Sequence, residues 1–317
     1  MKILANVNEL TREQWLEQRR KGIGGSDVAA ILGLNPYKGP LGVYIDKIEG
    51  SSFEGNIHTE FGNWMEPHIR TEFPNRFERF ERAKVYAVEY PHVLQHSEMD
   101  YLVANIDGLV WHEEDYTITL DNDTAEVLHI KAGDHGILEI KTASEMQWKE
   151  WKDDKLPDSY YFQCQHYMSV TGLKYSVIVA LVGKRLLWKY IPRNDEVISI
   201  MTDRCREFWE NHIIPKCPPA PIGLENDTSI LKAMYGEESK GKIIELHHFQ
   251  EDRNRYKDLS KQIKALEQEQ EAIKQRIMSE MGDAEVAMIG KNTAKWRMIS
   301  KSGYTVEPKT YRQFNLY

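Results

Sequence analysis

The sequence G-I-L-E-I-K at Gly136–Lys141 sets two charged side chains into an otherwise apolar run. In a β-strand, alternate side chains project from one face, so this spacing places Glu139 and Lys141 side by side. The chain contains four other acidic-x-lysine triplets, but only Glu139 lies within an apolar strand-like run. A buried charge is costly unless it is paired or binds a metal, so the pattern points to chemistry. An exposed ion pair on an edge strand is the alternative, and it leaves the apolar neighbours unexplained.

Two further acidic residues are candidates to join this pair. Asp107 follows the apolar run L-V-A-N-I at Leu102–Ile106 and precedes a glycine. Glu66 lies beside Trp64 on a predicted helix, where a solvated surface charge is the alternative interpretation. Carboxylate oxygens suit Mg²⁺ and Mn²⁺, which also bridge to phosphate. The sequence therefore predicts a divalent metal site around Asp107 and Glu139.

A glycine-rich segment near the N-terminus has the features of an anion site. The sequence K-G-I-G-G-S-D at Lys21–Asp27 separates a helix predicted over residues 11–20 from one predicted to begin at Ser26. Exposed amides at a helix N-terminus attract anions, and Ser26 adds a hydroxyl. Either Arg19 or Arg20 can supply the guanidinium fork that clamps a phosphate. Taken alone, Ser26 is better explained as the N-cap of its helix.

The hydrophobic period changes along the chain from helical to strand-like and back. Helices are predicted over residues 41–48 and 60–73, with a kink at Pro67. Strand-like runs follow over residues 83–90, 102–111, 117–120, 126–131 and 136–141. Helices are predicted again over residues 144–152, 159–170 and 197–214, with strands over 175–182 and 186–191. This order predicts an α/β (α+β) fold with helices flanking a mixed central sheet.

Three prolines within Lys216–Pro221 predict a domain boundary, because proline cannot continue a helix or a central strand. We therefore predict one domain over residues 1–221 and a second over residues 222–317.

In the second domain, apolar residues from Phe249 to Ile277 recur at alternating three- and four-residue steps, which predicts a coiled-coil-like helical arm. The tail alternates as strands do, at residues 294–298 and 312–316, and indicates a small β-hairpin. A packed helical arm is the simplest interpretation, and partner binding or oligomerisation is the alternative.

Composition limits the classes of function. The 317 residues include 41% hydrophobic side chains and carry a net charge of −8, which predicts a soluble globular protein rather than a general polyanion binder. The three cysteines are widely spaced, so neither disulfides nor a cysteine-held metal site is indicated. Neither a membrane span nor a signal peptide is apparent, which predicts a cytosolic protein.

The motifs, in their order along the chain, resemble those of a known group of nucleases. Asp107 followed by Glu139-x-Lys141 is similar to the core of the PD-(D/E)xK nuclease superfamily. Gln163-x-x-x-Tyr167 resembles an additional helical motif of its RecB-type members.

The N-terminal segment narrows this resemblance. The sequence from Arg19 through I-G-G-S-D to Tyr37 resembles the signature of the YqaJ-type viral recombinase and phage lambda exonuclease family. The likeness extends over residues 12–219, and Ile106 departs from it by standing where many superfamily members have proline.

The resemblance implies a restriction-endonuclease-like core and a set of residue roles. Its metal ligands for one or two Mg²⁺ ions, with Mn²⁺ as a substitute, would be Glu66, Asp107, Glu139 and the backbone carbonyl of Ile140. Lys141 would orient or activate the attacking water. The 5′-terminal phosphate of a DNA strand would be held by Arg19, Arg20, Gly25 and Ser26, with Gln163, Gln165 and Tyr167 in support.

With these roles, the resemblance implies a Mg²⁺-dependent exonuclease that degrades linear double-stranded DNA from 5′ to 3′ and leaves 3′ single strands for an annealing protein. The resemblance also implies a trimer, encoded by a phage or prophage and acting in the bacterial cytoplasm. One alternative is an endonuclease of the same fold that cuts internal or branched sites. The other is a non-catalytic DNA-binding recombination scaffold, although such a protein is expected to lose Asp107, Glu139 or Lys141.

Overall fold

The structure is a computed structural model that describes residues 1–50, 55–121, 126–153 and 155–300, together with Phe314 and Leu316. The chain divides into two compact units, Met1–Leu231 and Lys232–Tyr317. The predicted boundary at Pro221 lies shortly before this division. Residues just beyond Pro221 belong to the first unit because Ile222 lies against Gly39, where an added Cβ would be 3.0 Å from its side chain.

Nine α-helices are assigned within the described residues: α1 (Arg12–Arg20), α2 (Gly25–Ile31), α3 (Pro40–Ile48), α4 (Ile57–Glu81), α5 (Trp148–Trp151), α6 (Asp158–Thr171), α7 (Asp195–Phe208), α8 (Glu225–Met234) and α9 (Gln250–Met281). The strands are β1 (Lys2–Asn6), β2 (Val85–Val88), β3 (His92–Gln95), β4 (Val103–Ala104), β5 (Gly108–His112), β6 (Tyr116–Asp121), β7 (Glu126–Ile130), β8 (Gly136–Ala143), β9 (Tyr175–Val182), β10 (Arg185–Pro192), β11 (Val286–Ile289) and β12 (Asn292–Lys295).

The central sheet has five strands in the order β10-β9-β8-β5-β2. Strands β8 and β9 are parallel, with Glu139 opposite Ile178, and the other neighbours are antiparallel. A second sheet joins β1, β3 and β4, and β6 pairs with β7. The predicted mixed sheet flanked by helices is confirmed.

The two faces of the central sheet are covered by different helices. Ile137 and Ile178 pack in one core cluster with residues of α2 and α6, whereas Leu138 and Ile140 pack in the other with Phe73 of α4. Because side chains alternate along β8, Glu139 is on the α6 side of the sheet. The strand is therefore buried on both faces, which explains its nearly continuous apolar sequence.

The predicted strand over residues 102–111 is divided in the structure. Strand β4 belongs to the three-stranded sheet and β5 to the central sheet, so Asp107 lies where the chain passes from one sheet to the other. The next position, residue 108, requires glycine, because an added Cβ would lie 2.2 Å from the carbonyl oxygen of Val88. This close approach fixes where β5 begins.

The start of α2 also differs from the prediction. Its N-cap is Gly24, not Ser26. The side chain of Asp27 accepts a hydrogen bond from the Gly24 amide at 3.0 Å and so provides the capping contact. Ser26 therefore lies inside the first turn, and its hydroxyl is not used to cap the helix.

Helix α4 is longer than predicted, since it continues through Pro67 and Pro74 to Glu81. Asn56 caps its N-terminus by accepting hydrogen bonds from the amides of His58 and Thr59. The extra length adds Phe77 to Phe73 in the core against the sheet. Burial of these rings explains why a sequence with two internal prolines remains helical.

The second unit contains α9 and the hairpin of β11 and β12. The observed hairpin lies at Val286–Lys295 and precedes the predicted one, and the predicted strand over residues 294–298 overlaps β12 only at Ala294 and Lys295. The predicted strand over residues 312–316 lies outside the described residues, apart from Phe314 and Leu316.

Candidate active site

A cavity of about 490 Å³ opens at the end of β8 and is lined by residues that are distant in the sequence. Its lining includes Arg19, Gly25, Ser26, Glu66, Asp107, Glu139, Ile140, Lys141, Gln163 and Tyr167 from the predicted set. The folded chain thus brings the predicted carboxylates, lysine and glycine loop to one place.

Asp107 lies just before β5, and Glu139 lies on β8, the neighbouring strand of the central sheet. The Asp107 carboxylate accepts a hydrogen bond from the Ile140 amide, with 2.7 Å between Oδ2 and N. Glu139 is only 1% exposed, and its Oε1 accepts from Gln163 Nε2 at 2.7 Å. Its other oxygen, Oε2, is buried without a hydrogen-bond partner in the described structure. An unpaired buried carboxylate oxygen is expensive, so this atom is set to receive a further group.

Lys141 lies beside Glu139, as the strand period predicts. Its Nζ is 2.5 Å from Glu139 Oε1 and 5.0 Å from the centre of the Tyr160 ring. Burial alone would lower the pKa of Lys141, but the Glu139 and Asp107 carboxylates outweigh burial and raise it. Lys141 is therefore protonated at neutral pH and acts as a hydrogen-bond donor.

The carboxyl groups of the cavity have raised pKa values. Burial, reinforced by the nearby Asp107 carboxylate, raises the pKa of Glu139 to about 8. Burial also raises the pKa of Asp107, against the opposing effects of Lys141 and the Ile140 amide. These carboxyl groups lie close together in a poorly solvated environment, which is typical of a cation-binding site.

Glu66 lines the same cavity but has a different partner. Its carboxylate forms an ion pair with Arg70, one turn further along α4. Burial and the charge of Asp107 raise the pKa of Glu66 to about 7, although Arg70 opposes the shift. In the part of the chain that the structure describes, no three His, Cys, Asp or Glu side chains form a group able to hold a metal ion. The structure thus places Asp107 and Glu139 together and leaves Glu66 with Arg70.

The donor set still fits a hard divalent cation. Two carboxylates converge, one of them with an unpartnered buried oxygen, and Ile140 lies at the same wall of the cavity. Oxygen donors of this kind match Mg²⁺, which keeps several of its waters and needs few protein ligands. The raised acid pKa values are consistent, because a bound cation would favour the charged carboxylates.

Arg19 and Ser26 line the same cavity and contact each other. Arg19 Nη2 donates to Ser26 Oγ at 2.9 Å, and its guanidinium carbon is 4.8 Å from the centre of the Trp15 ring. Gly25 allows α2 to approach α6 closely, since a Cβ there would lie 2.6 Å from Tyr167 Cε1. A guanidinium and a hydroxyl at the start of a seven-residue helix can together meet a phosphate.

Two predicted residues are not part of the cavity wall. Arg20 Nη2 donates to the Ile48 carbonyl at 2.8 Å, and its Nη1 is 3.6 Å from Glu17, so Arg20 ties α1 to the end of α3. Gln165 is fully buried, where it donates to the Pro192 carbonyl and accepts from the Asn194 amide. Both residues support the fold beside the cavity.

Gln163 and Tyr167 take the predicted supporting positions on α6. Gln163 Nε2 donates to both Glu139 Oε1 and the Tyr167 hydroxyl, at 2.7 and 2.8 Å. The Gln163 amide thereby fixes the orientation of the buried Glu139 carboxylate. The ring of Tyr167, its other partner, lies against Gly25 at the start of α2.

A buried ion pair between Asp27 and Lys47, behind the glycine loop, was not predicted from the sequence. Lys47 Nζ is 2.7 Å from Asp27 Oδ2 and donates to the Arg19 carbonyl at 2.8 Å. Burial would raise the pKa of Asp27, but Lys47 and Lys38 outweigh burial and lower it. Asp27 also accepts from Gly24, so one ion pair fixes both the start of α2 and the end of α1. The only sequence signal was the charged Asp27 between a glycine loop and an apolar helix.

Trp15 was also missed, although it lies four residues before Arg19 and thus on the same helical face. Its ring lines the cavity beside the Arg19 guanidinium. This spacing was the signal that identifies it.

Comparison with known proteins agrees with the resemblance in the sequence. The model of the YqaJ-like viral recombinase domain matches residues 14–174. An uncharacterised protein of Bacillus subtilis (strain 168), YqaJ, is 32% identical over 306 residues, which cover 94% of this chain and 86% of that protein. The chain belongs to the YqaJ-like viral recombinase family. The predicted family is therefore confirmed.

Solved structures similar to this family member include two exonucleases. LHK-Exo, an alkaline exonuclease from Laribacter hongkongensis, is 18% identical, with a TM-score of 0.44 over 70% of this chain and 97% of that chain. A phage-related exonuclease from Haemophilus somnus 129PT is 14% identical, with a TM-score of 0.37 over 62% of this chain and 96% of that chain.

Among the helices that the structure describes, none combines the length and apolar character needed to cross a membrane.

Proposed function

We propose that this protein is a Mg²⁺-dependent exonuclease that hydrolyses phosphodiester bonds of linear double-stranded DNA from the 5′ end. The observation that carries the proposal is the unpartnered Oε2 of buried Glu139, next to Asp107 and Lys141 in a cavity that Arg19 and Ser26 also line. A metal-ligand set and a phosphate-binding pair in one cavity suit cleavage near a strand end.

The metal ligands in this proposal are Asp107, Glu139 and the carbonyl of Ile140. Glu66 would complete the set by exchanging its ion pair with Arg70 for the cation. Bound Mg²⁺, for which Mn²⁺ is a chemical substitute, lowers the pKa of water and neutralises charge on the scissile phosphate.

Lys141 orients the attacking water and donates a hydrogen bond to the charge that develops on the phosphate. Its raised pKa keeps it protonated in the metal-free protein, in the form that can donate this hydrogen bond. Glu139 holds the Lys141 ammonium at 2.5 Å, and Gln163 fixes Glu139 in turn. The three side chains act as one positioned unit.

Arg19 and Ser26 provide the end selectivity in this proposal. They bind the 5′-terminal phosphate, with the Trp15 ring beside the guanidinium, while the next phosphodiester lies over the carboxylates. Cleavage from a bound 5′ end leaves a 3′ single strand, which is the substrate of an annealing protein. A ring-shaped trimer acting in the cytoplasm of a phage-infected bacterium accords with the family resemblance.

Linear duplex DNA labelled at either the 5′ or the 3′ end tests the proposal, with Mg²⁺ and with chelator. We expect early release of the 5′ label, dependence on Mg²⁺, and faster degradation of 5′-phosphorylated than of 5′-hydroxyl ends. Efficient cutting of covalently closed circular DNA would contradict the exonuclease assignment and support an endonuclease. Binding without any cleavage would support the scaffold alternative, which the retention of Asp107, Glu139 and Lys141 disfavours.

A further inference from the structure

Helix α9 has an apolar seam that the described residues of the chain leave exposed. The helix is 32 residues long, and Tyr256, Leu259, Ile263, Leu266 and Ile273 on it are between 39% and 64% exposed. A soluble helix normally buries such a stripe against a neighbour. The exposed side chains therefore leave this face available to a partner helix.

The seam follows a heptad pattern over about three heptads, from Tyr256 to Ile277. Tyr256, Ile263, Gln270 and Ile277 occupy the a positions, and Leu259, Leu266 and Ile273 occupy the d positions. The spacing alternates between three and four residues without interruption, which is the pattern of a coiled coil.

We propose that α9 forms a parallel, in-register coiled coil with a second copy of this chain. This inference concerns the second unit alone and does not depend on the nuclease assignment.

Charge complementarity favours this occupant. In a parallel pair, each g position faces the e position of the next heptad on the partner. That rule places Glu269 opposite Lys274 of the second copy, and this pair is attractive. It places Gln262 opposite Glu267 of the second copy. The remaining g residues, Arg255 and Arg276, face serine and methionine, so no like charges meet.

Gln270 favours the parallel orientation over the antiparallel one. In a parallel pair the two Gln270 amides meet and can hydrogen-bond to each other. The two antiparallel alignments that overlap most of the seam place Gln270 opposite Leu259 or Leu266. A buried amide facing leucine loses its hydrogen bonds, which costs roughly 1–3 kcal/mol. A single polar residue at an a position is a known determinant of coiled-coil register.

Cysteine cross-linking of the full-length protein tests the orientation. Cys217 is exposed and is first replaced in Cys217→Ser, whereas Cys164 and Cys205 are buried. In this background, Ile263→Cys places a thiol at another a position of the seam and retains Gln270, and Gln268→Cys places one on the outward face as a control. Oxidised glutathione should produce a disulfide-linked dimer of the Ile263→Cys protein and at least tenfold less from Gln268→Cys.

Adding Leu266→Lys to the Ile263→Cys protein should abolish the cross-link, because two lysines cannot be buried opposite each other. Thermal unfolding of each variant verifies that the first unit is folded. Absence of a dimer with Ile263→Cys, equal cross-linking of both cysteine variants, or cross-linking that survives Leu266→Lys would each overturn the proposal. The first outcome would assign the seam to an antiparallel contact or to a different polypeptide.

Discussion

Glu139→Gln provides a test that separates the chemistry of the cavity from its contribution to stability. The substitution keeps the shape of the side chain and an oxygen that can accept from Gln163, but it removes the charge. We expect cleavage to fall at least a thousandfold, because the proposed ligand with the unpartnered oxygen is lost. We also expect the metal-free protein to become more stable at high pH, which is the less obvious outcome.

The sign of that stability change follows from the raised pKa. Glu139 titrates near 4.5 in an unfolded chain and near 8 in the folded protein, so the folded state holds its proton more tightly. Folding is therefore penalised progressively as pH rises from 4.5 to 8, and the penalty is absent below that window. At 1.36 kcal/mol per pH unit, the ceiling is about 5 kcal/mol.

The realised gain should be smaller than this ceiling. Lys141 loses its nearest carboxylate in the variant, and Asp107 then becomes the main compensation for the buried ammonium. We expect a gain of about 2 kcal/mol at pH 8.5, which corresponds to about 4–8 °C in Tm for a unit of this size.

Thermal unfolding in chelator at pH 5 and pH 8.5 measures the effect. The Tm difference between variant and wild type should appear at pH 8.5 and shrink at pH 5. Mg²⁺ should raise the Tm of wild type at pH 8.5 and leave that of Glu139→Gln nearly unchanged. A variant that is destabilised at pH 8.5, or a difference independent of pH, would refute the assignment of a crowded, cation-accepting site.

Three further outcomes are expected. Arg19→Ala should reduce the preference for 5′-phosphorylated over 5′-hydroxyl ends by roughly ten- to a hundredfold, as one charge-assisted contact is worth roughly 1.5–3 kcal/mol, whereas Arg20→Ala should retain the preference; competition between the two DNA ends measures it. Lys47→Met should lower the free energy of unfolding by roughly 3 kcal/mol, at the low end for a broken buried pair, because it removes the nearer of the two lysines beside buried Asp27 and leaves Lys38 at 3.6 Å; denaturant titration measures the loss, and a change under 1 kcal/mol would contradict the role of the pair. The Mg²⁺ concentration for half-maximal cleavage should rise as pH falls from 8.5 to 6.5, because protons compete with the cation for Glu139; a requirement that is constant across this range would argue against that ligand.

Much of the fold, and the pairing of Glu139 with Lys141 in the site, could be predicted from local patterns. The capping of α1 by Thr11 is confirmed, with Gln14 returning the contact to the Thr11 amide. The parallel strand β9 was predicted with its observed bounds, because an apolar run between turn residues needs no distant information. The failures occurred where neighbours intervene. Ser26 is a better N-cap than Gly24 by propensity, but the carboxylate of Asp27, fixed by Lys47, caps the helix at Gly24 instead.

The sequence alone determined that Glu139 and Lys141 share one face of a buried strand, because the two-residue period of a strand is a local property of the backbone. It could not determine which neighbouring arginine reaches Ser26. Arg19 and Arg20 point about 100° apart on α1, and only the packing of that helix against α3 turns Arg19 toward the cavity and Arg20 toward Ile48. The partners of Glu66 and Asp27 likewise depend on which charges the folded chain encloses together, since an ion pair forms across space and leaves no period in the sequence.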